Sequence, residues 1–404
     1  MHTTSNKVIA KDLIYNISAI VIMNVVIQFL VYPYLNSSMG EEAFGILLTL
    51  MSVVAILANS FGSAINNTRL VIKTKFEAAN GDYTTLLLFC CAVSSVVGII
   101  VLNSFSLLTP INALFFCALI CMTLLRYYTE VNYRLTLNFK GYLFYYILLS
   151  IGYVVGVILY PATTNWYFVL ILGEALAVVY VMSTGNIYKK PFVRSAHTKT
   201  VWRMALVVAG SYLISNFFLN MDRIVIQYIL GGNAVTTFYT ASLLGKTVAL
   251  LVGPINGVMI AYLAHYSGNF TKKLFSKAVL LSLALSGICF VGCILVSPWL
   301  IRTFYPNVYD ASKGLINIAT LGQIVFFTSN LLLAVILRFC HEKHQFTTQL
   351  TYGVLYIALA IPLTLANGIY GFACATLISG LFRFGLVVAV GYWDIHKKGP
   401  PQLG

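Results

Sequence analysis

The chain has 404 residues, of which 59% are hydrophobic and only 9% are charged. Soluble globular proteins carry about 25% charged residues, so this composition excludes a water-soluble globule and predicts a membrane protein. The net charge of +14 would suit a nucleic-acid-binding protein, but the basic residues lie in short loops between apolar stretches, and we expect no nucleic-acid partner.

Twelve apolar stretches are long enough to cross a bilayer, which takes about 20 helical residues. In lipid the backbone polar groups must be paired within the segment, so each stretch is predicted to be a helix. The expected fold class is an all-α polytopic membrane protein. In chain order the stretches cover residues 13–35, 44–64, 85–106, 112–133, 142–160, 166–184, 204–229, 238–262, 275–297, 314–337, 350–368 and 371–392.

Most basic residues fall in every second loop. Lys7 and Lys11 precede the first stretch, Arg126 and Arg134 flank the turn between the fourth and fifth, and the longest basic loop, 185–203, follows the sixth. The positive-inside rule then predicts that both termini are cytoplasmic, with anionic membrane lipids as neighbours. We expect a six-helix lobe at 1–190, a cytoplasmic linker at 191–203 and a second six-helix lobe at 204–404.

The two halves show a weak internal repeat. YLNSSMGEEAFGILLTL (34–50) aligns with YILGGNAVTTFYTASLL (228–244), which pairs Gly40 with Gly231 and Ala43 with Ala234. Because six spans return the chain to the side of the membrane on which it entered, the halves are predicted to be duplicates in the same orientation. Transporters built from repeats place the substrate site at the repeat interface.

The seventh stretch carries a polar stripe. At about 100° per residue, Asn216, Asn220, Arg223 and Gln227 fall on one narrow face, with Asp222 about 100° away from it. A polar stripe in lipid must face protein or a water-filled cavity. Interhelical hydrogen bonding would suit an Asn, but a deep charge is expensive, so the Arg favours a cavity.

Further polar residues extend the candidate site. Lys246 in the eighth stretch and Arg383 in the twelfth are also deep cations, and Asn24 with Gln28 form a milder stripe in the first stretch. The deep anions are Asp222 and Glu174, predicted to act as counter-ions or in ion coupling. The predicted set is therefore cationic overall.

The sequence shows few features of an enzyme. It has no nucleotide-binding loop, no nucleophile–His arrangement, and no histidine set with metal-ligand spacing, so we expect no catalytic residue, no metal and no cofactor. The cysteines lie in apolar helices or at a cytoplasmic end, which predicts no disulfide framework.

The stretch NMDRIVIQYILGGNAVTTFYTASLL, with the six-plus-six organisation, resembles the Wzx-type polysaccharide flippases of the multidrug/oligosaccharidyl-lipid/polysaccharide (MOP) exporter superfamily. The seventh span of that family often reads Asn, Asp-Arg, an apolar patch, Leu-Gly, a short variable loop and a Tyr. The matching residues here are Asn220, Asp222, Arg223, Leu230, Gly231 and Tyr239.

This resemblance implies a two-lobed, V-shaped transporter similar to MATE proteins in a bacterial inner membrane. It would flip an undecaprenyl-diphosphate-linked oligosaccharide through a cationic cavity, by rocking of the lobes, for O-antigen, capsule or exopolysaccharide synthesis. A polysaccharide polymerase and a chain-length regulator are partners expected from the resemblance alone. A drug/cation antiporter of the same superfamily and a membrane-integral polymerase or glycosyltransferase are the alternatives.

Overall fold

The computed structural model describes residues 6–73, 75–250, 256, 271–339 and 342–398. Within these ranges the chain is helical almost throughout and contains no β-strand. The α-helices are α1 (Asn6–Val26), α2 (Tyr32–Met39), α3 (Glu41–Val54), α4 (Ser60–Ile72), α5 (Asn80–Ser104), α6 (Pro110–Thr129), α7 (Val131–Thr136), α8 (Phe139–Thr163), α9 (Trp166–Thr184), α10 (Thr198–Leu230), α11 (Gly232–Leu250), α12 (Lys272–Phe304), α13 (Tyr309–Ser312), α14 (Ile316–Phe339) and α15 (Glu342–Lys398).

Ten helical stretches of the described chain are long and apolar enough to cross a membrane. The last of them, Thr347–Asp394, contains two predicted spans, which are separated where Asn367 and Gly368 leave helical geometry. The predicted eighth span begins in α11, but its residues 251–255 and 257–262 lie outside the described residues. The all-α, multi-pass architecture predicted from the sequence is confirmed, and the cytoplasmic position of the termini stays a prediction.

Two of the spans contain a π-helical turn. Ile27–Val31 joins α1 to α2 in the first span, and Ala55–Asn59 joins α3 to α4 in the second. A π turn adds one residue to a turn of the helix, and such turns often occur at functional sites. The first π turn includes Gln28 and the second includes Asn59, which contacts the seventh span.

Gly40 and Gly231, which the repeat alignment pairs, have the same unusual backbone geometry. Their φ angles are +84° and +86°, a region that glycine enters without steric strain. Each glycine lies directly before a helix, Gly40 before α3 and Gly231 before α11. The two positions are therefore structurally equivalent, which supports the predicted internal repeat.

The chain forms two compact units. The first consists of Met1–Gly40 and Leu47–Ile224, and the second consists of Glu41–Ile46 and Val225–Gly404. Most of α10 therefore packs with the first half of the sequence, and the start of α3 packs with the second half. The division expected from the sequence, with lobes at 1–190 and 204–404 and a linker at 191–203, stays a prediction.

Small residues bring helices close together in the first unit. Helix α8 packs against α1 and α9. A Cβ atom on Gly152 would lie 2.5 Å from the Cα of Gly173, and one on Gly156 would lie 2.6 Å from the carbonyl oxygen of Val169. Close backbone approach at small residues is a general basis of helix association in membranes.

In the second unit, α14 is the central helix and packs against α11, α12 and α15. Its apolar face contributes Leu332, Leu333 and Ile336 to a buried cluster, to which α15 adds Val387. This cluster lies close in sequence to Ser329, Asn330 and Arg383, so rigid packing surrounds the polar residues described below.

The start of α11 is held by α3 within the second unit. The carboxylate of Glu42 accepts hydrogen bonds from the backbone N–H groups of Gly232, at 3.1 Å, and Asn233, at 3.0 Å. An acceptor with negative charge satisfies the free N–H groups of a helix N-terminus and opposes its dipole. The hydroxyl of Thr236 also donates to the carbonyl of Glu41, at 2.7 Å.

We expect Gly45→Ala to lower stability by about 1–3 kcal/mol, because a Cβ atom there would lie 1.9 Å from the backbone oxygen of Gly232. The midpoint of thermal unfolding in detergent measures the effect. Gly287→Ala is the matched control, since nothing lies within 4 Å of its Cβ position and α12 should gain slightly from alanine. Equal midpoints for the two variants would contradict the close contact.

Candidate functional site

The polar stripe of the seventh span begins as a contact between helices. Asn216 is buried in α10. Its Oδ1 accepts a hydrogen bond from Asn59 Nδ2 at 3.1 Å, and its Nδ2 donates to Ser60 Oγ at 2.9 Å. Farther along the same helices, Asn67 Nδ2 donates to the hydroxyl of Tyr212 at 2.6 Å. For Asn216 the geometry is that of interhelical hydrogen bonding, the alternative that the sequence left open.

Arg223 continues the contact with the second span. Its Nη1 donates to Ser52 Oγ at 3.4 Å, and its backbone carbonyl accepts a hydrogen bond from Thr49 Oγ1, also at 3.4 Å. The arginine is half-buried, and the neighbouring Asp222 is buried. All four residues belong to the first unit. The role of Arg223 as a substrate-binding cation stays a prediction.

The other four amide side chains of the predicted site are half-buried. Asn220 Nδ2 donates to the carbonyl of Asn216 at 2.9 Å, and Asn24 Nδ2 donates to the carbonyl of Ile20 at 2.8 Å, each within its own helix. Gln28 and Gln227 are likewise half-buried. The assignment of these four residues to a cavity stays a prediction.

Glu174 is a counter-ion, and its partner is Arg126. Glu174 Oε2 lies 2.8 Å from Arg126 Nε, and its Oε1 accepts a hydrogen bond from the hydroxyl of Tyr153 at 2.8 Å. Both charged side chains are almost fully buried. The sequence placed Arg126 at the turn between the fourth and fifth spans, whereas it is a buried member of an ion pair between α6 and α9.

A second buried acid extends this ion pair into a network. Glu130 Oε2 accepts from Arg134 Nη2 at 2.9 Å, and Glu130 Oε1 lies 3.8 Å from Arg126 Nη1. The hydroxyls of Tyr146 and Tyr142 donate to Glu130 at 2.7 and 3.2 Å. Two arginines and two glutamates balance each other, and multiple hydrogen bonds offset the loss of hydration.

Sequence reasoning missed this network, although a signal was present. Arg126, Glu130 and Arg134 follow each other at steps of four residues, with alternating charge. That spacing places the three on one face of a helix and favours ion pairs. The pairing of the fourth member, Glu174, depends on the packing of α9 against α6.

Arg383 has a different environment in the second unit. It is 0% exposed, and its Nη1 and Nη2 donate to Ser329 Oγ at 3.2 Å and Asn330 Oδ1 at 2.8 Å. Its guanidinium carbon lies 4.4 Å from the ring centre of Phe326 and 5.1 Å from that of Tyr352. Neutral hydrogen-bond acceptors and aromatic faces both favour a cation, but neither cancels its charge.

Within the described part of the chain, no carboxylate forms an ion pair with Arg383. Its Nε has no hydrogen-bond partner there, and neither does Oδ1 of Asn256, whose Nδ2 donates to the backbone carbonyl of Asn330 at 3.0 Å. A buried cation that no described carboxylate compensates is energetically unfavourable, which makes Arg383 a candidate functional residue.

Lys246 lies in α11 and is half-buried. It belongs to the second unit, whereas Arg223 belongs to the first. The expectation that both cations face one space stays a prediction. Among the described residues, no group of three or more His, Cys, Asp or Glu side chains is placed to hold a metal ion.

No family model and no curated protein matches the sequence. Solved structures do match. An inward-facing multidrug resistance MATE family transporter of the MOP superfamily is 11% identical, with a TM-score of 0.68, and the match covers 96% of this chain and 100% of that one. The lipid II flippase MurJ, in an inward closed conformation, is 15% identical, with a TM-score of 0.72 over 93% of this chain and 87% of that one.

The Vibrio cholerae MATE transporter VcmN, in the bent form, is 11% identical, with a TM-score of 0.62, and the match covers 97% of each chain. Similarity at such low identity is a statement about fold. This chain therefore has the fold that MATE transporters share with MurJ, and the MATE-like architecture predicted from the sequence is confirmed.

Proposed function

We propose that this protein flips an undecaprenyl-diphosphate-linked oligosaccharide across the bacterial cytoplasmic membrane for the synthesis of a surface polysaccharide such as O-antigen, capsule or exopolysaccharide. The glycan and diphosphate would pass through the protein while the lipid tail stays in the bilayer. Translocation of this kind needs binding and a change of conformation, and it needs no covalent chemistry, cofactor or metal.

The observation that carries the proposal is the buried Arg383. Its guanidinium meets neutral acceptors and aromatic rings, and among the described residues it pairs with no carboxylate. A diphosphate would supply the missing negative charge and could accept a hydrogen bond from Nε. Guanidinium groups bind phosphate oxygens with strong, directional hydrogen bonds, and the low dielectric of the membrane interior strengthens the attraction.

The first unit supports the same proposal by contrast. The charges of Arg126, Glu130, Arg134 and Glu174 form a compensated network, so these residues are fit to hold α6, α8 and α9 together. Arg223 contacts Ser52, a neutral hydroxyl. Arg223, Lys246 and Arg383 stay the predicted cations of the site.

The fold is shared by a multidrug transporter and by a lipid flippase, so it is compatible with both functions. A drug/cation antiporter is therefore the second candidate. A buried arginine that lacks a carboxylate partner among the described residues would repel a cationic drug, which favours the flippase. A polysaccharide polymerase and a chain-length regulator would use the flipped product and are proposed as partners on that basis.

Deletion of the gene in the native host tests the proposal. We expect complete lipid-linked oligosaccharides to accumulate while the surface polysaccharide disappears, because assembly of the polymer would need substrate in the outer leaflet. Both pools are quantified in the same cells by mass spectrometry of lipid extracts and by surface polysaccharide assay. Unchanged pools with increased drug sensitivity would support the antiporter, and incomplete units would support an enzyme.

A further inference from the structure

The loop between α9 and α10 presents two apolar side chains to its surroundings. Phe192 is 72% exposed and Val193 is 55% exposed. Lys189, Lys190 and Arg194 flank them in the sequence KKPFVR, and all three are exposed. Apolar side chains beside clustered cations are typical of segments that bind the interface of an anionic membrane.

This tip, residues 189–194, is held firmly by the start of α5. The backbone N–H of Gly81 donates to the carbonyl of Val193 at 3.0 Å. Asn80 Nδ2 donates to the carbonyl of Lys189 at 2.7 Å, and Val193 N–H closes a turn on the carbonyl of Lys190 at 3.2 Å. A Cβ atom on Gly81 would lie 2.3 Å from the Val193 oxygen, so glycine is required for this approach.

Asp82 fixes the chain that follows the tip. Its carboxylate accepts hydrogen bonds from the N–H of Ser195 at 2.9 Å, the Ser195 hydroxyl at 2.6 Å and the Thr198 hydroxyl at 2.5 Å. Beyond it, His197 packs on the ring of Phe76 with 4.4 Å between ring centres. The exposure of Phe192 and Val193 is thus imposed by a network of specific bonds.

The same contacts join the tip to the end of a candidate membrane span. Asn80 and Gly81 are the first residues of α5, which is a candidate span. The indole N–H of Trp202 donates to the carbonyl of Asp82 at 3.1 Å. Tryptophan is enriched where spans leave the hydrocarbon, so this ring marks the boundary at which the tip lies.

We propose that the tip is a membrane anchor. Phe192 and Val193 insert into the interface of the adjoining leaflet, and Lys189, Lys190 and Arg194 bind the headgroups of anionic phospholipids. The anchor holds the loop that joins the two halves of the sequence against the membrane surface. Its partner is the lipid surface itself, so the inference is independent of the transported substrate.

Photo-cross-linking tests the anchor. The full-length protein, with benzoylphenylalanine in place of Phe192, is purified, reconstituted into nanodiscs of phosphatidylcholine and phosphatidylglycerol, irradiated, and analysed by mass spectrometry of the intact protein. We expect adducts with the mass of one phospholipid, with phosphatidylglycerol enriched over its share of the bilayer. Benzoylphenylalanine in place of Val96, an exposed residue near the middle of α5, is the matched control and should capture both lipids without enrichment.

A second variant separates the two parts of the anchor. With Lys189→Gln, Lys190→Gln and Arg194→Gln added, lipid adducts at position 192 should persist and the enrichment of phosphatidylglycerol should fall to that of the control position. The proposal is overturned if position 192 gives no lipid adduct, if it cross-links a second protein molecule instead, or if phosphatidylglycerol is never enriched there.

Discussion

Replacing Arg383 with glutamine is expected to abolish most transport while leaving the protein at least as stable as the wild type. Burial removes the guanidinium from water, and no carboxylate among the described residues compensates it. Neutralising such a charge removes a desolvation penalty of several kcal/mol. Glutamine keeps the methylene stem and ends near the position of the arginine Nε, so much of the local packing should survive.

The loss of transport follows from the bond that Arg383 would make with an anionic substrate. A hydrogen bond between charged groups contributes about 1.5–3 kcal/mol, so its removal should slow transport by about 10- to 150-fold. Transport is measured in deletion cells complemented with each variant, from the lipid-linked oligosaccharide pool and the surface polysaccharide. Thermal unfolding in detergent measures stability.

Arg302→Gln is the matched control for Arg383→Gln. Arg302 lies in the same unit, at the end of α12, and is exposed, with its guanidinium over the ring of Tyr309. We expect neither transport nor stability to change by more than a small amount. Full transport by Arg383→Gln would remove this residue from the proposed site, and a marked loss of its stability would make the role structural.

Unlike Arg383→Gln, Arg126→Gln is expected to cause a large loss of stability. The substitution leaves Glu174 buried without the guanidinium that now lies 2.8 Å from its carboxylate. Breaking one side of a buried ion pair lowers the free energy of unfolding by about 3–5 kcal/mol. Thermal unfolding of the purified protein, with its folded yield after extraction, is the measurement.

Two further variants complete the Arg126 experiment. The double variant Arg126→Gln with Glu174→Gln removes both charges and should recover much of the lost stability, while Glu130 keeps Arg134. Arg134→Gln is the matched control, because its side chain is 36% exposed and exposed ion pairs contribute about 1 kcal/mol or less. Additive losses in the double variant would show that the two charges do not interact.

Much of the fold could be predicted because hydrophobicity and charge act locally along the chain. A span of about 20 apolar residues has one stable structure in lipid, a helix, whatever its neighbours are. The repeat was also visible, since the alignment pairs Gly40 with Gly231, and both adopt positive φ angles that glycine enters without strain. Both signals are contained within short segments of sequence.

The arrangement of the charges was only partly predictable. The depth of Arg383 and Glu174 in their spans marked both as unusual, but their different environments are products of tertiary packing. Glu174 meets Arg126 because α9 packs on α6, whereas Arg383 meets Ser329 and Asn330 because α15 packs on α14. Helical periodicity predicts which residues share one face of a helix. It does not predict which other helix packs against that face.

The contacts of the loop at 185–203 were likewise not predictable from the sequence. Its basic composition predicted a cytoplasmic linker, and nothing in that composition indicated that Asp82 and Asn80 would hold it. Those bonds join residues more than 100 positions apart in the sequence. Side-chain hydrogen bonds of this range depend on the finished fold.

The most direct test of the proposed function is translocation by the purified protein. Proteoliposomes carrying a lipid-linked oligosaccharide are treated with a glycan-modifying reagent that cannot cross the bilayer, and the protected fraction is followed over time. We predict that the wild-type protein exposes the inner-leaflet pool within the assay and that Arg383→Gln exposes it about 10- to 150-fold more slowly. Wild-type liposomes that protect the pool as fully as protein-free ones would contradict the proposal.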